Sequence, residues 1–277
     1  MNEPDRPPHD EAGAHAEGGR LRRKGIYILP NLFTLAALFG GFYAIVMAMN
    51  GRFENAAIGV FCAMVLDSLD GRVARMTHTQ SAFGEQMDSL SDMVSFGAAP
   101  ALIVYEWSLK GLGKLGWIAA FVYCAGAALR LARFNTNIGV IDKRFFQGLP
   151  SPAAAALVVG LIWVLDDHGI KNAAQVGWVV WTTFAVTLYA GLTMVTNVPF
   201  YSFKDVSFKR TVPFIVIVAI ALGIAVINID PPLVLFALFC VYGFSGYGVY
   251  AYRKAKGTPV SVIATSTDEP DEAGLHR

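Results

Sequence analysis

The stretch DSLDGRVARMTHTQSAFGEQMDSLSD, residues 67–92, decides how this chain is interpreted. It carries four aspartates, Asp67, Asp70, Asp88 and Asp92, within an otherwise apolar part of the sequence. Ionisable side chains at membrane depth are costly, so they usually face the interior of a helix bundle or a polar cavity, where they mark function. We therefore expect the chemistry of this protein to centre on these four carboxylates.

The composition of the whole chain indicates a membrane protein. Of its 277 residues, 55% are hydrophobic and 16% are charged, and the mean hydropathy is +0.47. This balance is too apolar and too poor in charge for an ordinary soluble domain. We expect an all-α fold, a polytopic helical bundle in a lipid bilayer, and no nucleic-acid partner. Residues 1–24 and 255–277 are polar and predict flexible cytoplasmic tails, the first disordered, around a transmembrane catalytic domain at 25–254.

Apolar segments long enough to cross a bilayer recur along the chain. A span needs about 20 apolar residues to cross about 30 Å of hydrocarbon. The sequence predicts about eight transmembrane helices, near residues 29–49, 53–70, 88–107, 115–134, 152–167, 174–195, 212–229 and 232–252. Gly40, Gly41 and Gly59 predict that the first two of these helices pack closely, because small residues let helix backbones approach each other.

Lys and Arg residues are distributed unevenly between the two sides of the predicted bundle. Sixteen fall on the side of residues 20–24 and of the acidic stretch, and four fall on the other side: Arg52, Lys110, Lys114 and Lys171. Basic residues are enriched in cytoplasmic loops. The sequence therefore predicts a multi-pass protein of the cell (inner) membrane, with both termini and the acidic stretch on the cytoplasmic side.

The spacing within the acidic stretch predicts two helix faces that meet across a turn. Two sets of residues recur at helical intervals of three or four: Asp67, Asp70, Gly71, Ala74 and Arg75, and then Ser81, Gly84, Asp88 and Asp92. A hairpin turn near residues 77–80 would bring the two faces together. All-oxygen clusters suit Mg²⁺ or Mn²⁺ rather than zinc, and four carboxylates can hold two such ions about 3.5–4 Å apart.

Glycine and arginine on the same faces point to a phosphate-bearing ligand. Gly71 and Gly84 lack side chains where a ligand would approach the backbone. Arg75 lies one turn beyond Gly71 and can offer a bidentate pair of donors to a phosphate group. Together with paired cations, this arrangement fits a substrate that carries a pyrophosphate.

The acidic stretch resembles the D-x2-D-G-x2-A-R-x8-G-x3-D-x3-D motif of the CDP-alcohol phosphotransferase family. Eight positions match with every interval kept: Asp67, Asp70, Gly71, Ala74, Arg75, Gly84, Asp88 and Asp92. The resemblance implies a six-helix core with the motif at the cytoplasmic ends of two helices, a CDP-linked donor, and two divalent ions. It also implies transfer of a phosphatidyl or similar group to an alcohol, release of CMP, and a homodimer.

Three further strings resemble the integral-membrane phosphatidylserine synthases of that family. They are PNLFTLAALFGGF at 30–42, ALRLARFN at 128–135 and FFQGLPSPAAA at 145–155. This resemblance implies that CDP-diacylglycerol and L-serine give phosphatidylserine and CMP. Two alternatives stay open: a related enzyme that uses glycerol phosphate, inositol phosphate or choline, and a cation transporter that uses the acids as an ion path.

The resemblance also implies roles for individual residues. Asp67, Asp70, Asp88 and Asp92 would bind two Mg²⁺ or Mn²⁺ ions, and Asp92 would in addition be the general base for the acceptor hydroxyl. Transfer is then expected to be direct, without a phosphatidyl-enzyme. Contacts to CDP-diacylglycerol are expected from six residues: Asn31, Thr34, Gly71, Arg75, Ser81 and Gly84.

The acceptor site should contain a fixed positive charge, because serine carries a carboxylate. Arg130 and Arg133 are the candidates, with Asn135 as a polar neighbour. The alternative for both arginines is contact with lipid phosphate, since arginine at the cytoplasmic end of a span commonly extends to the bilayer surface.

Overall fold

The fold is a bundle of helices that carries one small sheet. The computed structural model describes residues 12–77, 79, 81–136, 145–171, 173, 176–202 and 214–256. The α-helices within these ranges are α1 (Ala12–Met49), α2 (Phe53–Thr77), α3 (Ala82–Asp92), α4 (Ala99–Trp107), α5 (Lys114–Thr136), α6 (Ser151–Asp167), α7 (Gly177–Val195), α8 (Phe214–Ile229) and α9 (Pro231–Ala255). A π-helical turn (Met93–Ala98) joins α3 to α4, and a 3₁₀ turn (Leu109–Leu112) follows α4. Strands β1 (Phe145–Gln147) and β2 (Pro199–Tyr201) pair antiparallel.

The helical architecture expected from the apolar segments is confirmed. Each of the eight predicted segments overlaps a helix, and the segment at 88–107 consists of the end of α3, the π turn and α4. Within the described ranges, four helical segments are long and apolar enough to cross a membrane by length and composition: Pro30–Met49, Lys114–Thr136, Gly177–Val195 and Pro231–Ala255. Membrane crossing by the other helices and a six-helix core stay predictions.

Helix α1 begins earlier than the composition predicts. It starts at Ala12, inside the segment 1–24 for which disorder is expected. Ala, Leu, Arg, Lys and Glu, which are frequent between residues 12 and 24, are strong helix formers. Because extending a helix is much easier than nucleating one, the apolar part of α1 can support the polar turns that precede it. Residues 1–11 and 257–277 lie outside the described ranges.

Glycines set the close packing of α1 against its neighbours. A Cβ atom built on Gly40 would lie 3.1 Å from the carbonyl oxygen of Gly59 on α2. One built on Gly41 would lie 2.5 Å from Oγ of Ser95 in the π turn. Larger residues at these positions would separate the helices, so the prediction of close packing from the glycines is confirmed.

Helix α6 forms the centre of the bundle. It packs against α2, α4, α7 and α9, and nearly all of its side chains from Ser151 to Trp163 are buried. A helix surrounded on all sides must be apolar on all sides, which explains its run of alanine, leucine and valine residues. Its first residue, Ser151, therefore places a buried hydroxyl at the helix end nearest α5.

Helix α9 packs over the small sheet as well as over α6. The ring of Phe200 in β2 lies directly against Gly246, where an added Cβ would come within 2.5 Å of the ring. The hydroxyl of Tyr242 donates a 3.1 Å hydrogen bond to the carbonyl of Tyr201. Helix α9 thus supports the sheet through β2.

The π turn holds the end of α3 against two other helices. Ser91 and Ser95 each donate a 3.1 Å hydrogen bond to a backbone carbonyl of α1. Tyr123 of α5 donates a 2.9 Å hydrogen bond to the carbonyl of Phe96 within the turn. Single π-helical turns occur frequently at functional sites. Asp92 directly precedes this turn, so its position is fixed by contacts with α1 and α5.

Candidate active site

Helices α2 and α3 bring the four aspartates together, as their spacing predicts. One carboxylate oxygen from each of Asp67, Asp70 and Asp88 lies within 4.8 Å of those of the other two. The carboxyl group of Asp92 lies beside that of Asp67. Its Oδ1 atom is buried and has no hydrogen-bond partner among the described residues. A buried oxygen of this kind is costly unless a cation or a proton accompanies it.

The donors of this cluster fit a hard divalent cation. The three clustered oxygen ligands are all carboxylate atoms, and the unpartnered oxygen of Asp92 is of the same kind. Mg²⁺ and Mn²⁺ prefer such oxygen ligands, whereas zinc prefers nitrogen and sulfur. Arg130 lies close enough to attract Asp92 electrostatically, but it is one positive charge beside four carboxylates. The cluster can therefore accommodate divalent ions.

Thr34 fixes one of the acids from α1. Its Oγ1 donates a 2.7 Å hydrogen bond to Oδ2 of Asp70 and lies 3.2 Å from the carbonyl oxygen of Pro30. Thr34 and Asp70 are both buried. Hydrogen bonds from outside the ligand set orient carboxylates that bind metals. Thr34, which the sequence predicts as a nucleotide contact, thus also sets the direction of the Asp70 carboxylate.

A pocket of about 220 Å³ adjoins the acids. It lies between α1, the end of α2 and the start of α3, and Asp70 and Asp88 form part of its wall. All six residues predicted to contact the CDP-linked donor line it: Asn31, Thr34, Gly71, Arg75, Ser81 and Gly84. Thr79 and Glu85 line it too, although they stand at unspecified positions of the motif and the sequence analysis did not select them.

Part of the pocket wall, at the start of α3 and at Arg75, presents hydrogen-bond donors to a negatively charged ligand. Ser81 caps α3, its Oγ accepting a 3.1 Å hydrogen bond from the backbone N–H of Gly84, so the positive end of the helix dipole faces the pocket. An added Cβ on Gly84 would lie 3.3 Å from Oδ1 of Asn31, and this glycine therefore lets α1 approach α3. One on Gly71 would meet only Nη1 of Arg75, at 3.9 Å. Helix N-termini and arginine both favour phosphate groups.

Arg130 lies at the acids rather than at the protein surface. Its side chain is only 9% exposed, and Nη1 donates a 2.7 Å hydrogen bond to Oγ of Ser151. Electrostatic attraction links it to Asp92. The sequence analysis missed Ser151, since nothing in the local pattern connects it to a residue on another helix. Arg130 is thus a buried cation next to the proposed general base.

The other two predicted acceptor contacts lie near Arg130 but make different bonds. The terminal nitrogens of Arg133 donate to oxygen atoms at the end of α7 and in β1. Nδ2 of Asn135 donates a 3.0 Å hydrogen bond to Oγ of Ser89, next to Asp88 on α3. Arg133 therefore connects α5 to the sheet, and Asn135 connects α5 to the acidic helix.

Comparison with known proteins gives a consistent result. A CDP-diacylglycerol–serine O-phosphatidyltransferase of Helicobacter pylori is 36% identical over 220 residues, 79% of this chain and 90% of that protein. Proteins of the same name from Mycobacterium leprae and Methanocaldococcus jannaschii are each 31% identical, over 80% of this chain and over 74% and 95% of their own length. The structural match to a Mycobacterium tuberculosis phosphatidylinositol phosphate synthase, in a crystal structure with CDP-DAG bound, covers 69% of this chain and 94% of that chain. The sequence identity is 19% and the TM-score is 0.45.

The family model described as CDP-alcohol phosphatidyltransferase matches residues 27–189. This range is more than half of the chain, and it contains α2, α3, the pocket and all four aspartates. The acidic motif, the cluster that it forms and the sequence relatives all lead to the same assignment. The chain belongs to the CDP-alcohol phosphatidyltransferase family.

Proposed function

We propose that this protein transfers the phosphatidyl group of CDP-diacylglycerol to L-serine, giving phosphatidylserine and CMP. The observation that carries the proposal is the folding of the motif into a carboxylate cluster at the edge of a pocket that also presents Arg75 and the N-terminus of α3. The choice of serine is supported by relatives with that activity in their names, which match about four fifths of the chain. Enzymes of the family that use other alcohols are the alternative.

The donor occupies the pocket between α1, α2 and α3. Arg75 and the N-terminus of α3 at Ser81 and Gly84 receive the pyrophosphate, because both present hydrogen-bond donors with positive charge. Asn31 contributes a side-chain amide from α1, next to Gly84. The bare backbone at Gly71 leaves space for the nucleotide.

The four aspartates would hold two Mg²⁺ or Mn²⁺ ions. Asp67, Asp70 and Asp88 form the close cluster, and Asp92 would add the carboxylate oxygen that lies beside Asp67, which leaves its Oδ1 atom free. When bound, such ions offset the charge of the pyrophosphate and lower the pKa of a nearby hydroxyl. Thr34 keeps Asp70 turned toward the cluster.

Asp92 takes the proton of the serine hydroxyl. The hydroxyl oxygen attacks the β-phosphorus, which carries the diacylglycerol, and a new P–O bond forms as the bond to the CMP oxygen breaks. A general base must reach the proton directly or through one water, and Asp92 has a free carboxylate oxygen for it. Donor and acceptor are positioned side by side, so the transfer needs no phosphatidyl-enzyme.

Arg130 binds the serine carboxylate. Its bond to Ser151 uses one of the five N–H donors of a guanidinium, and its burial limits competition from water. Only two carbon atoms separate the carboxylate carbon of serine from its hydroxyl, so the groups that bind them must be near neighbours. Arg130 lies close enough to Asp92 for electrostatic attraction, which supports this pairing. Asn135 and Arg133 lie nearby, at the end of α5.

The pocket faces the cytosol, and the protein crosses the inner membrane several times as a homodimer with both termini inside. The support for the orientation is the distribution of basic residues at the helix ends. The pocket end of the described helices carries Arg72, Arg75, Arg130, Arg133, Arg253, Lys254 and Lys256. The opposite end carries Arg52, Lys110, Lys114 and Lys171. Cytoplasmic ends are enriched in lysine and arginine.

An acceptor assay with the purified protein tests this proposal. The protein in detergent micelles is incubated with CDP-diacylglycerol and, separately, with labelled serine, glycerol phosphate, inositol phosphate or choline. We expect CMP and a labelled phospholipid with serine alone, loss of both on chelation, and recovery with Mg²⁺ or Mn²⁺. The Asp67→Ala variant should be inactive. Turnover with another alcohol would replace serine as the acceptor, and cation flux in vesicles without CMP release would favour a transporter.

A further inference from the structure

Arg133 occupies the end of α7 and not an open pocket. Its Nη1 donates to the carbonyl of Val195 at 2.9 Å and to Oδ1 of Asn197 at 3.3 Å. Its Nη2 lies within hydrogen-bond distance of the carbonyls of Gln147, Met194 and Thr196, at 2.8, 3.1 and 3.3 Å. The last carbonyls of a helix have no partner within it and carry partial negative charge, so a guanidinium there is well placed.

The segment between β1 and α6 is docked on the same helix end. The backbone N–H of Gly148 donates to the carbonyl of Val198 at 2.9 Å, and that of Leu149 donates to the carbonyl of Thr193 at 3.2 Å. The side-chain amide of Gln147 donates to Asn197 at 2.8 Å. Arg133 therefore lies at the centre of a junction between α5, α7 and the segment 147–149.

Gly148 shows how tight this junction is. Its φ angle is +77°, a backbone conformation that residues other than glycine rarely adopt. An added Cβ would collide with the carbonyl of Met194, would lie 2.9 Å from that of Thr196, and would lie 3.0 Å from Nη2 of Arg133. The backbone at residue 148 thus lies directly against the guanidinium and the end of α7.

The junction leads to the proposed acceptor site within a few residues. Leu149 is followed after one residue by Ser151, whose hydroxyl accepts the hydrogen bond from Arg130. Arg130 and Arg133 are three residues apart on α5 and so lie on the same side of that helix. The position of the Ser151 hydroxyl, and with it the direction of the Arg130 guanidinium, depends on how the segment 147–149 is docked.

We propose that Arg133 is a positioning residue that holds the segment 147–149 on the end of α7, so that Ser151 directs Arg130 toward the serine carboxylate. This inference rests on the proposed function for its kinetic consequence. Its structural consequence, the docking of the segment, is independent of which alcohol reacts. It differs from direct contact between Arg133 and serine, because the terminal nitrogens of Arg133 already donate to protein oxygens.

Hydrogen–deuterium exchange in the absence of substrates tests the docking. Peptides that cover residues 145–151 are compared in the wild type, Arg133→Ala and Arg133→Lys. We expect the amides of Gly148 and Leu149 to exchange about ten- to hundred-fold faster in Arg133→Ala, which is the effect of losing hydrogen bonds from a charged donor. The matched control is Arg52→Ala, which removes an exposed arginine at the other end of the bundle and should leave these peptides unchanged. Arg133→Lys keeps the positive charge but loses the planar set of guanidinium donors. The exchange rate of these amides in Arg133→Lys should therefore lie between the rates in the wild type and in Arg133→Ala.

Steady-state kinetics supply the second measurement. Arg133→Ala should raise the KM for serine more than it lowers kcat, with the KM for CDP-diacylglycerol unchanged. Unchanged exchange with a raised serine KM would overturn the inference in favour of direct contact, and unchanged exchange with unchanged kinetics would overturn it outright. If Arg133→Ala does not fold, Arg133→Lys provides both measurements. A wild type without serine-dependent turnover would refute the proposed function, while the exchange data would still decide the role of Arg133.

Discussion

Replacing Thr34 with valine tests whether the acid cluster is organised by α1. Valine has nearly the shape of threonine but lacks the hydroxyl that donates to Asp70 at 2.7 Å. Thr34 is 4% exposed and Asp70 is 6% exposed, so water cannot readily supply a replacement donor. The Asp70 carboxylate would then be free to rotate away from Asp67 and Asp88. We expect weaker binding of divalent ions.

The size of this effect follows from the bond that is lost. A hydrogen bond to a charged acceptor contributes about 1.5–3 kcal/mol, and each 1.36 kcal/mol corresponds to about a factor of ten. The apparent dissociation constant for Mn²⁺ should therefore rise about ten- to hundred-fold, the range found for residues that support metal ligands. Thr34→Ser, which keeps the hydroxyl, should remain close to the wild type.

Titration with Mn²⁺, followed by electron paramagnetic resonance of the free ion, measures this constant without turnover. The Mg²⁺ dependence of CMP release should shift in parallel. Thr182→Val is the matched control, because the Thr182 hydroxyl is exposed and bonds only the carbonyl of Trp178 in its own helix. If Thr34→Val binds Mn²⁺ like the wild type and instead raises the KM for CDP-diacylglycerol, the hydroxyl serves the donor and our reasoning about Asp70 is wrong.

Asp92→Asn should lower kcat about 10²–10⁴-fold, because an amide cannot take the hydroxyl proton, while a direct assay should find binding of CDP-diacylglycerol retained; undiminished turnover would remove Asp92 as the base. Arg130→Lys should raise the KM for serine because a lysine cannot form the paired hydrogen bonds of a guanidinium, and an unchanged KM would place the carboxylate elsewhere. Gly126→Ala should destabilise the protein by about 1–3 kcal/mol in thermal unfolding, since its Cβ would collide with the carbonyl of Gly191 on α7. Gly177→Ala, where an added Cβ meets nothing within 4 Å, is its control, and equal stability of the two variants would contradict the packing argument.

The acidic cluster and its pocket could be predicted because the interactions behind them are local in sequence. Asp67 and Asp70 lie on one face of α2, Asp88 lies on one face of α3, and only residues 78–81 separate the two helices. A connection this short forces the two faces together. Helical spacing and a turn therefore suffice to predict which carboxylates meet.

The acceptor side could not be predicted in the same way, because its bonds join distant parts of the chain. Ser151 lies 21 residues from Arg130, and the α7 carbonyls lie about 60 residues from Arg133. Sequence spacing marks both arginines as cations at a helix end, but it does not distinguish their partners. Only the packing of α5 against α7 and the position of Ser151 at the start of α6 separate a buried cation near Asp92 from a guanidinium at a helix terminus.

The π turn after Asp92 has a consequence for how this part of the chain tolerates change. A π-helical turn contains one residue more than the α-helical path that it replaces. The extra residue is absorbed within the turn, so α3 and α4 keep nearly the azimuth that one continuous α-helix would give them. Deleting a single residue between Met93 and Ala98 would therefore restore α-helical winding and leave Asp88 and Asp92 directed toward α2. It would disturb instead the widened turn whose Phe96 carbonyl accepts the hydrogen bond from Tyr123. Deleting a residue between Asp88 and Asp92 has no such buffer, and because each residue advances an α-helix by about 100°, it would turn the two acids by about that angle relative to each other.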